Sequence, residues 1–427
     1  MVLDPGHFHA ALLQKEMLEG VSDTVNVYAP LGPDLLAHLG RIAAFNSRAE
    51  QPTHWRSRIY AAPDYFERML AERPGNVVVL SGRNLGKMDA IERALQAGIH
   101  VLADKPWIID AGELPKLEAA LRLARGKRLA AYDIMTQRYE ITNILLRELV
   151  RDRAVFGEPA SGTVEEPAAT MESVHHLLKL VAGQPNLRPA WFFDIRQQGE
   201  GLADIGTHLV DLVQWILCER PIDYRRDIQV LAATRRPTVL TAEQFRRVTG
   251  ETRYPAFLES AVRSGSLEYF CNNRVDYTLN GIHTRLEIRW DFEAPPGGGD
   301  TETSIFRGSR SRIEVRQGRE ENFQPEVYVI PARASEASAI RAALVQRFEQ
   351  LRADYPGLQV DGPASRLHVV IPAGLRDGHE QHFASVARQF QKYVREPASM
   401  PLWEDAAMAA KYYTTTRGVE LARSAAR

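Results

Sequence analysis

The segment QGEGLADIGTHLVDLVQWIL, residues 198–217, places Asp204, His208, Asp211 and Trp215 at i, i+4, i+7 and i+11 of a helical repeat. A carboxylate one turn before a histidine can fix the imidazole tautomer and raise its basicity, which is what a general base needs. Taken alone, D-x-x-x-H is more often a surface pair on a helix. A second stretch adds weight. In AGIHVLADKP, residues 97–106, Lys105 follows a short apolar run and precedes a proline that fixes the turn. A lysine there reaches the mouth of a sheet and can stabilise a developing alkoxide.

Other polar clusters are weaker. Glu172, His175, His176 and Lys179 in ESVHHLLKL fall at i, i+3, i+4 and i+7, a polar helical face that can line a polyol site or be solvated. Trp191, Phe192 and Phe193 precede the catalytic-looking helix; such aromatics stack on sugars but are more often core. His379 and His382 read as exposed residues at a helix start. His175, His176 and His208 match no recognised metal-ligand spacing, so no metal is expected.

These residues need elements to hold them. Over the first ~135 residues, short β-rich runs alternate with amphipathic segments: MVL, TVNVYAP, NVVVLSG, HVLADKP and RLAAYDIM as strands, with helices between. Apolar strands alternating with helices predict a parallel sheet covered on both faces, with ligands at the strands' carboxyl ends. Residues 31–56 read as an enlarged helical connection. From about residue 158 the texture changes to antiparallel ribbons, SLEYFCNNRVDYTL, GIHTRLEIRWDFEA, TETSIFRG and SRIEVRQG, with PPGGGD at 295–300 as a hairpin tip. Helices are expected at 334–355, 379–396 and 404–424.

Bulk properties narrow the function. A chain of 427 residues suggests two domains. With 44% hydrophobic and 25% charged residues and a net charge of −1, no global field attracts nucleic acid or anionic membrane, and small polar molecules are the expected partners. Two cysteines, Cys218 and Cys271, form no disulfide framework or zinc ribbon, which suits a reducing, cytoplasmic setting. No apolar stretch approaches the ~20 residues that span a bilayer. The first strand keeps only about three residues before its turn, which an upstream start or a removed leader would explain.

Together these stretches resemble the Gfo/Idh/MocA family of glucose-fructose oxidoreductase, inositol 2-dehydrogenase and rhizopine-catabolism relatives. The family's E-K-P is similar to Asp104-Lys105-Pro106, and its G-G-G-x-x-x-D-x-G-x-H-x-x-D to residues 199–211. The resemblance implies an α/β chain: a Rossmann dinucleotide-binding domain at 1–138, and a substrate-binding and oligomerisation domain at 139–427 with a large, mostly antiparallel sheet. It implies Lys105, Asp204 and His208 as the catalytic group. Cofactor contacts are expected at Gly6, His7, Phe8, His9, Ser81, Gly82, Asn84, Asp104 and Lys105, and substrate contacts at Arg138, Glu172, His175, His176, Trp191 and His208. The cofactor leans to NAD, with NADP open, because no arginine directly follows the second strand.

Departures from the pattern bear on cofactor geometry. In LDPGHFHAALLQ the fingerprint's first and third glycines are Asp4 and His9, and only Gly6 remains. An acidic Asp4 is unfavourable beside a pyrophosphate unless it turns away, and His7 or His9 is expected to face the phosphates or the substrate. Lys87 falls near a position the family often gives to histidine. The implied reaction moves hydride between a sugar, glycoside or polyol ring carbon and nicotinamide. His208 takes the hydroxyl proton, directly or through Lys105, and Asp204 holds the imidazole. Alternatives are a glycosidase that oxidises, eliminates and reduces with retained cofactor, and a sugar sensor without chemistry. A homo-oligomer, dimer or tetramer, is expected.

Overall fold

The computed structural model describes residues 1–181, 184–185 and 187–425. The chain forms two compact units. One comprises Met1–Thr136, Trp191–Gly199 and Gly378–Asp405; the other comprises Gln137–Ala190, Glu200–Asp377 and Ala406–Arg427. The units interleave along the sequence, so segments 191–199 and 378–405 join the N-terminal unit.

The first unit is built on six strands: β1 (Val2–Leu3), β2 (Thr24–Ala29), β3 (Arg56–Ala61), β4 (Val77–Leu80), β5 (His100–Ala103) and β6 (Ala131–Asp133). Their order is β3-β2-β1-β4-β5-β6 and every pairing is parallel. This is the doubly wound dinucleotide-binding order, whose direction reverses between β1 and β4. Buried Val2, Val27 and Ala29 pack on Ala10 and Leu35 from the helices that follow β1 and β2.

Two expectations need correction here. The helix after β1 covers only His9–Leu12, and the 31–56 connection is a helix, Pro33–Ser47, followed by the unforeseen β3. The β3 sequence RSRIYA sits at the sheet's edge with one neighbour and a largely exposed surface, so it lacks the apolar run of an inner strand.

In the second unit a ten-stranded sheet runs Ile228–Leu240, Ser266–Leu279, Ile282–Glu293, Ala169–Leu178, Thr301–Arg307, Ser311–Gln317, Glu326–Pro331, Leu367–Val370, Gln359–Asp361, with Val262–Arg263 beside Ser266–Leu279. Every neighbour is antiparallel except Ile282–Glu293 with Ala169–Leu178. ESVHHLLKL is therefore a strand over most of its length, not a helical face. Residues 295–300 are not a hairpin tip either, because the strands they join flank Ala169–Leu178 on opposite sides.

The helix Gly201–Leu217 lies on the alternating apolar face of the two long strands, above residues such as Val275, Leu286 and Ile288. Glycine permits that approach: a Cβ at Gly201 would fall 1.9 Å from the Cys271 carbonyl oxygen, and one at Gly206 would fall 3.2 Å from Ile288.

Candidate active site

The turn after β1 is shaped by its departures from a glycine fingerprint. Asp4 itself adopts the left-handed conformation, with φ of 44°, that a glycine takes most easily. Its carbonyl accepts the Gly6 amide at 2.8 Å, and the His7 amide donates to the Ser81 carbonyl at 2.6 Å. A Cβ on Gly82 would lie 2.4 Å from the Asp4 oxygen, so the chain after β4 touches this turn backbone to backbone. Burial raises the Asp4 carboxyl above its ordinary range; Arg83 opposes this and Asp34 adds to it.

His7 and His9 are held by a carboxylate. Both turn their Nδ1 atoms to Asp104, at 2.7 Å and 3.0 Å, and the Ser81 hydroxyl donates to the same carboxylate at 3.2 Å. Burial works to raise the Asp104 carboxyl, but His9 and His7 override it and hold it well below the usual range. His9 packs on Phe383 at 4.6 Å between ring centres, and burial pushes it down to about 3. A neutral His9 donating from Nδ1 keeps its lone pair on Nε2. Asp104 and Ser81, expected at the cofactor, tie the β1, β4 and β5 loops together.

Lys105 follows Asp104 and is 6% exposed. Its loop is clamped from below. The buried Lys87 ammonium donates to the Asp104 carbonyl at 2.9 Å, the Pro106 carbonyl at 3.1 Å and Asn84 Oδ1 at 2.5 Å. Asn84, also expected at the cofactor, is 2% exposed and donates to the Gln198 carbonyl at 2.6 Å. It is a brace. Trp191, expected at the substrate, belongs to the first turn: it donates to Asp34 at 3.0 Å, lies under Arg83 at 5.2 Å, and would meet a Cβ on Gly6 at 3.1 Å.

In the second unit, Asp204 and His208 lie one turn apart on Gly201–Leu217, with 4% and 9% of their surface exposed. The start of this helix is pinned by Glu200. That side chain is fully buried and meets Arg423 at 2.7 Å, Arg235 at 3.3 Å and Asn273 at 3.3 Å, while Asn273 also accepts the Leu202 amide at 2.9 Å. Further along, Asp211 accepts two bonds from Arg138, both 2.6 Å, and one from Lys411 at 2.9 Å. Burial would raise the Asp211 carboxyl, yet the two cations hold it well below its usual range. Arg138, expected at the substrate, is thus a structural partner of the helix.

The sheet residues near the helix form a different group. His175 and His176 place Nδ1 at 3.2 and 3.1 Å from the two Asp300 oxygens, and Lys179 pairs with the same carboxylate. Glu172 stands apart, 3.5 Å from Arg289. Sequence reasoning missed Asp300 and Lys411, which nothing local marked, and gave no role to Asp34, the nearest carboxylate after β2, or to Glu200, which stands in the glycine motif before the helix.

The only grouping among the described residues with three metal-capable side chains in reach of one another is His7, His9 and Asp104. The hydrogen bonds above already join them, and the Lys87 ammonium lies against the same loop. Among the described residues no helix is long and apolar enough to cross a membrane.

Residues 145–423 match the family described as "Putative oxidoreductase C terminal domain". The chain is similar to a crystal structure described as a "putative oxidoreductase from Parabacteroides merdae ATCC 43184", with 44% identity over 99% of this chain and 97% of that one and a TM-score of 0.96. It shares its fold with KijD10, a 3-ketoreductase from Actinomadura kijaniata solved with TDP-benzene and NADP (15% identity, 98% and 95% coverage, TM-score 0.56). The same holds for GenD2 from gentamicin A biosynthesis, solved with NAD (14% identity, 99% and 93% coverage, TM-score 0.59). No curated protein matches the chain. The family match over most of the chain and the close relative agree with the order of the parallel sheet: this chain belongs to the oxidoreductases of the Gfo/Idh/MocA type that carry this C-terminal domain.

Proposed function

We propose that the protein is an NAD(P)-dependent dehydrogenase of CH–OH groups that passes hydride between a ring carbon of a sugar, glycoside or polyol and nicotinamide. The observation that carries this reading is Lys105, a buried lysine directly after the fifth strand of a parallel sheet in dinucleotide-binding order, in a chain of an oxidoreductase family. KijD10 and GenD2, which share the fold, hold NADP and NAD, and this supports a nicotinamide cofactor here.

The residues present fit such a group at two points. The Asp4–Gly6 turn and Gly82 bring bare backbone together at the switch point, where this strand order holds a dinucleotide, with the Gly6 and His7 amides already fixed on the Asp4 and Ser81 carbonyls. Asp34, beyond β2, supplies a carboxylate of the kind that accepts from a ribose hydroxyl. Arg83, 3.3 Å from Asp34 and 4.0 Å from Asp4, offsets the negative charge beside the turn.

A bound nicotinamide supplies the hydride acceptor or donor. Lys105 donates a hydrogen bond to the substrate oxygen and stabilises it as negative charge develops. His208 takes the hydroxyl proton, and Asp204, one turn earlier, favours the imidazolium that results. Lys87 acts through Lys105: three bonds from its ammonium fix the loop that aims the catalytic amine.

Absorbance at 340 nm should rise when purified protein meets NAD or NADP with a panel of sugars, polyols and glycosides. Lys105→Ala and His208→Ala should each cut the rate about a hundred- to ten-thousandfold with circular dichroism unchanged. Undiminished turnover in His208→Ala would remove the assignment.

A further inference from the structure

Asp300 sits just before Thr301, whose Cα partner across the sheet is Val174, so the chain returning past the end of Ala169–Leu178 delivers a carboxylate beside His175. There it meets Nδ1 of His175 and of His176 and the Lys179 ammonium. The group is locked from behind. His175 Nε2 lies 2.8 Å from the Ser173 hydroxyl, and its ring rests on Trp290 at 4.9 Å between centres. Arg188 covers the same indole at 5.0 Å and donates to the Leu177 and His176 carbonyls at 2.8 and 3.3 Å.

Asp300 reaches the surface: its side chain is 24% exposed, beside His175 at 20% and Lys179 at 39%. A carboxylate has about four acceptor directions. Three are occupied here, one by the long and exposed Lys179, which a hydroxyl can join or replace. The strand Ala169–Leu178, which carries His175 and His176, packs against the helix Gly201–Leu217, which carries His208, and the Asp204 charge on that helix acts on both His175 and Arg188.

Charge decides the ligand class. Asp300 presents a fixed negative charge to a ligand, and the Arg188 Nε and Nη2 beside it are turned to backbone carbonyls. A carboxylate or phosphate placed against Asp300 would face like charge, with Lys179 already paired to that carboxylate. A neutral diol brings donors to Asp300 and acceptors to Lys179.

We propose that Asp300 is the specificity-determining carboxylate of the substrate site, and that the substrate is a neutral polyhydroxylated ring, not a uronate, a sugar phosphate or a nucleotide-linked sugar. This deepens, and rests on, the sugar reading above.

The test is isothermal titration of the full chain, as purified, with neutral methyl glycosides of several hexoses and xylose and with myo-inositol, against the matching uronates and 6-phosphates and UDP-glucose. Wild type should bind at least one neutral ligand about tenfold or more tightly than any anionic counterpart. D300N should weaken that ligand roughly ten- to hundredfold and narrow or reverse the preference for neutral over anionic, a change that loss of packing alone does not produce.

Tighter binding of an anionic ligand by wild type, binding of none, or a D300N protein with unaltered affinity and preference would each overturn the proposal. Should D300N fail to fold, D300E is read instead: it must keep the neutral preference at reduced affinity, and unreduced affinity counts against Asp300. Sugar binding without any change at 340 nm removes the dehydrogenase reading and leaves this one standing. Turnover whose KM is the same in wild type and D300N does the reverse.

Discussion

Asp211 and Asp300 each gather several basic side chains in the second unit, but one is sealed and the other is open. Asp211 is 1% exposed and holds Arg138 and the fully buried Lys411, so three charges from distant parts of the chain share one dry pocket. Asp300 keeps about a quarter of its side chain in water and partners two histidines and a half-exposed lysine. A sealed ion cluster has no room for a ligand and repays its desolvation only if every member stays paired. An open one retains acceptor capacity. The same carboxylate chemistry serves the fold in one case and, on our reading, recognition in the other.

The largest effect should fall on the sealed cluster. Asp211→Ala leaves Arg138 and Lys411 buried without their carboxylate, and we expect a loss of about 3–5 kcal/mol in urea denaturation followed by circular dichroism. Replacing all three together, Arg138→Met with Asp211→Leu and Lys411→Met, should restore most of that. Asp300→Asn should move the same transition by less than about 1 kcal/mol. Equal losses in the two single variants would erase the distinction between sealed and open clusters.

Lys87 extends the comparison to the first unit, as a sealed cation that donates to two carbonyls and an amide oxygen. Lys87→Met keeps the stem and strands those acceptors, at a cost of about 2–3 kcal/mol. Because the acceptors belong to the Asp104–Pro106 loop, kcat should fall more than KM rises. A variant that loses stability yet keeps kcat would show that the clamp supports the fold and not the aim of Lys105.

What was legible in the sequence follows the reach of each interaction. Strands β4 and β5 announce themselves because both faces are covered and the residues are apolar. The helix Gly201–Leu217 shows its 3.6 period, so the positions of Asp204 and His208 on it could be read directly. The placement of Lys105 after a buried strand could be read in the same way. Strand β3 was hidden because an edge strand with charged residues has no such pattern.

ESVHHLLKL misled for a different reason. Its polar residues suit a helical period, but the two adjacent histidines are drawn to one carboxylate 124–125 residues away. No local rule contains that partner. The partners of Arg138 were hidden in the same way, since Asp211 lies 73 residues on and Lys411 a further 200. His7, His9 and Asp104 were singled out individually, but their mutual bonds required the fold.

The smallest effect contrasts a partnered imidazole with an unpartnered one. His175 has Asp300 and Ser173, whereas His38, on the helix Pro33–Ser47, is 1% exposed and neither ring nitrogen has a hydrogen-bond partner among the described residues. Burial pushes His38 down to about 4, from 6.5 in the unfolded chain, and Arg41 adds to the shift. Between these values the unfolded state binds the proton and the folded state does not. The stability that depends on a neutral His38 is therefore complete above about pH 6.5 and is lost progressively as pH falls towards 4. At pH 5 the loss is about 2 kcal/mol, from 1.36 kcal/mol per pH unit. His38→Leu should accordingly flatten the acid limb of a stability–pH curve by about that amount and leave pH 8 little changed, whereas His175→Leu should cost stability at both values because Asp300 loses a partner. Parallel curves for wild type and His38→Leu would mean that His38 takes up its proton in the folded protein as readily as in the unfolded chain.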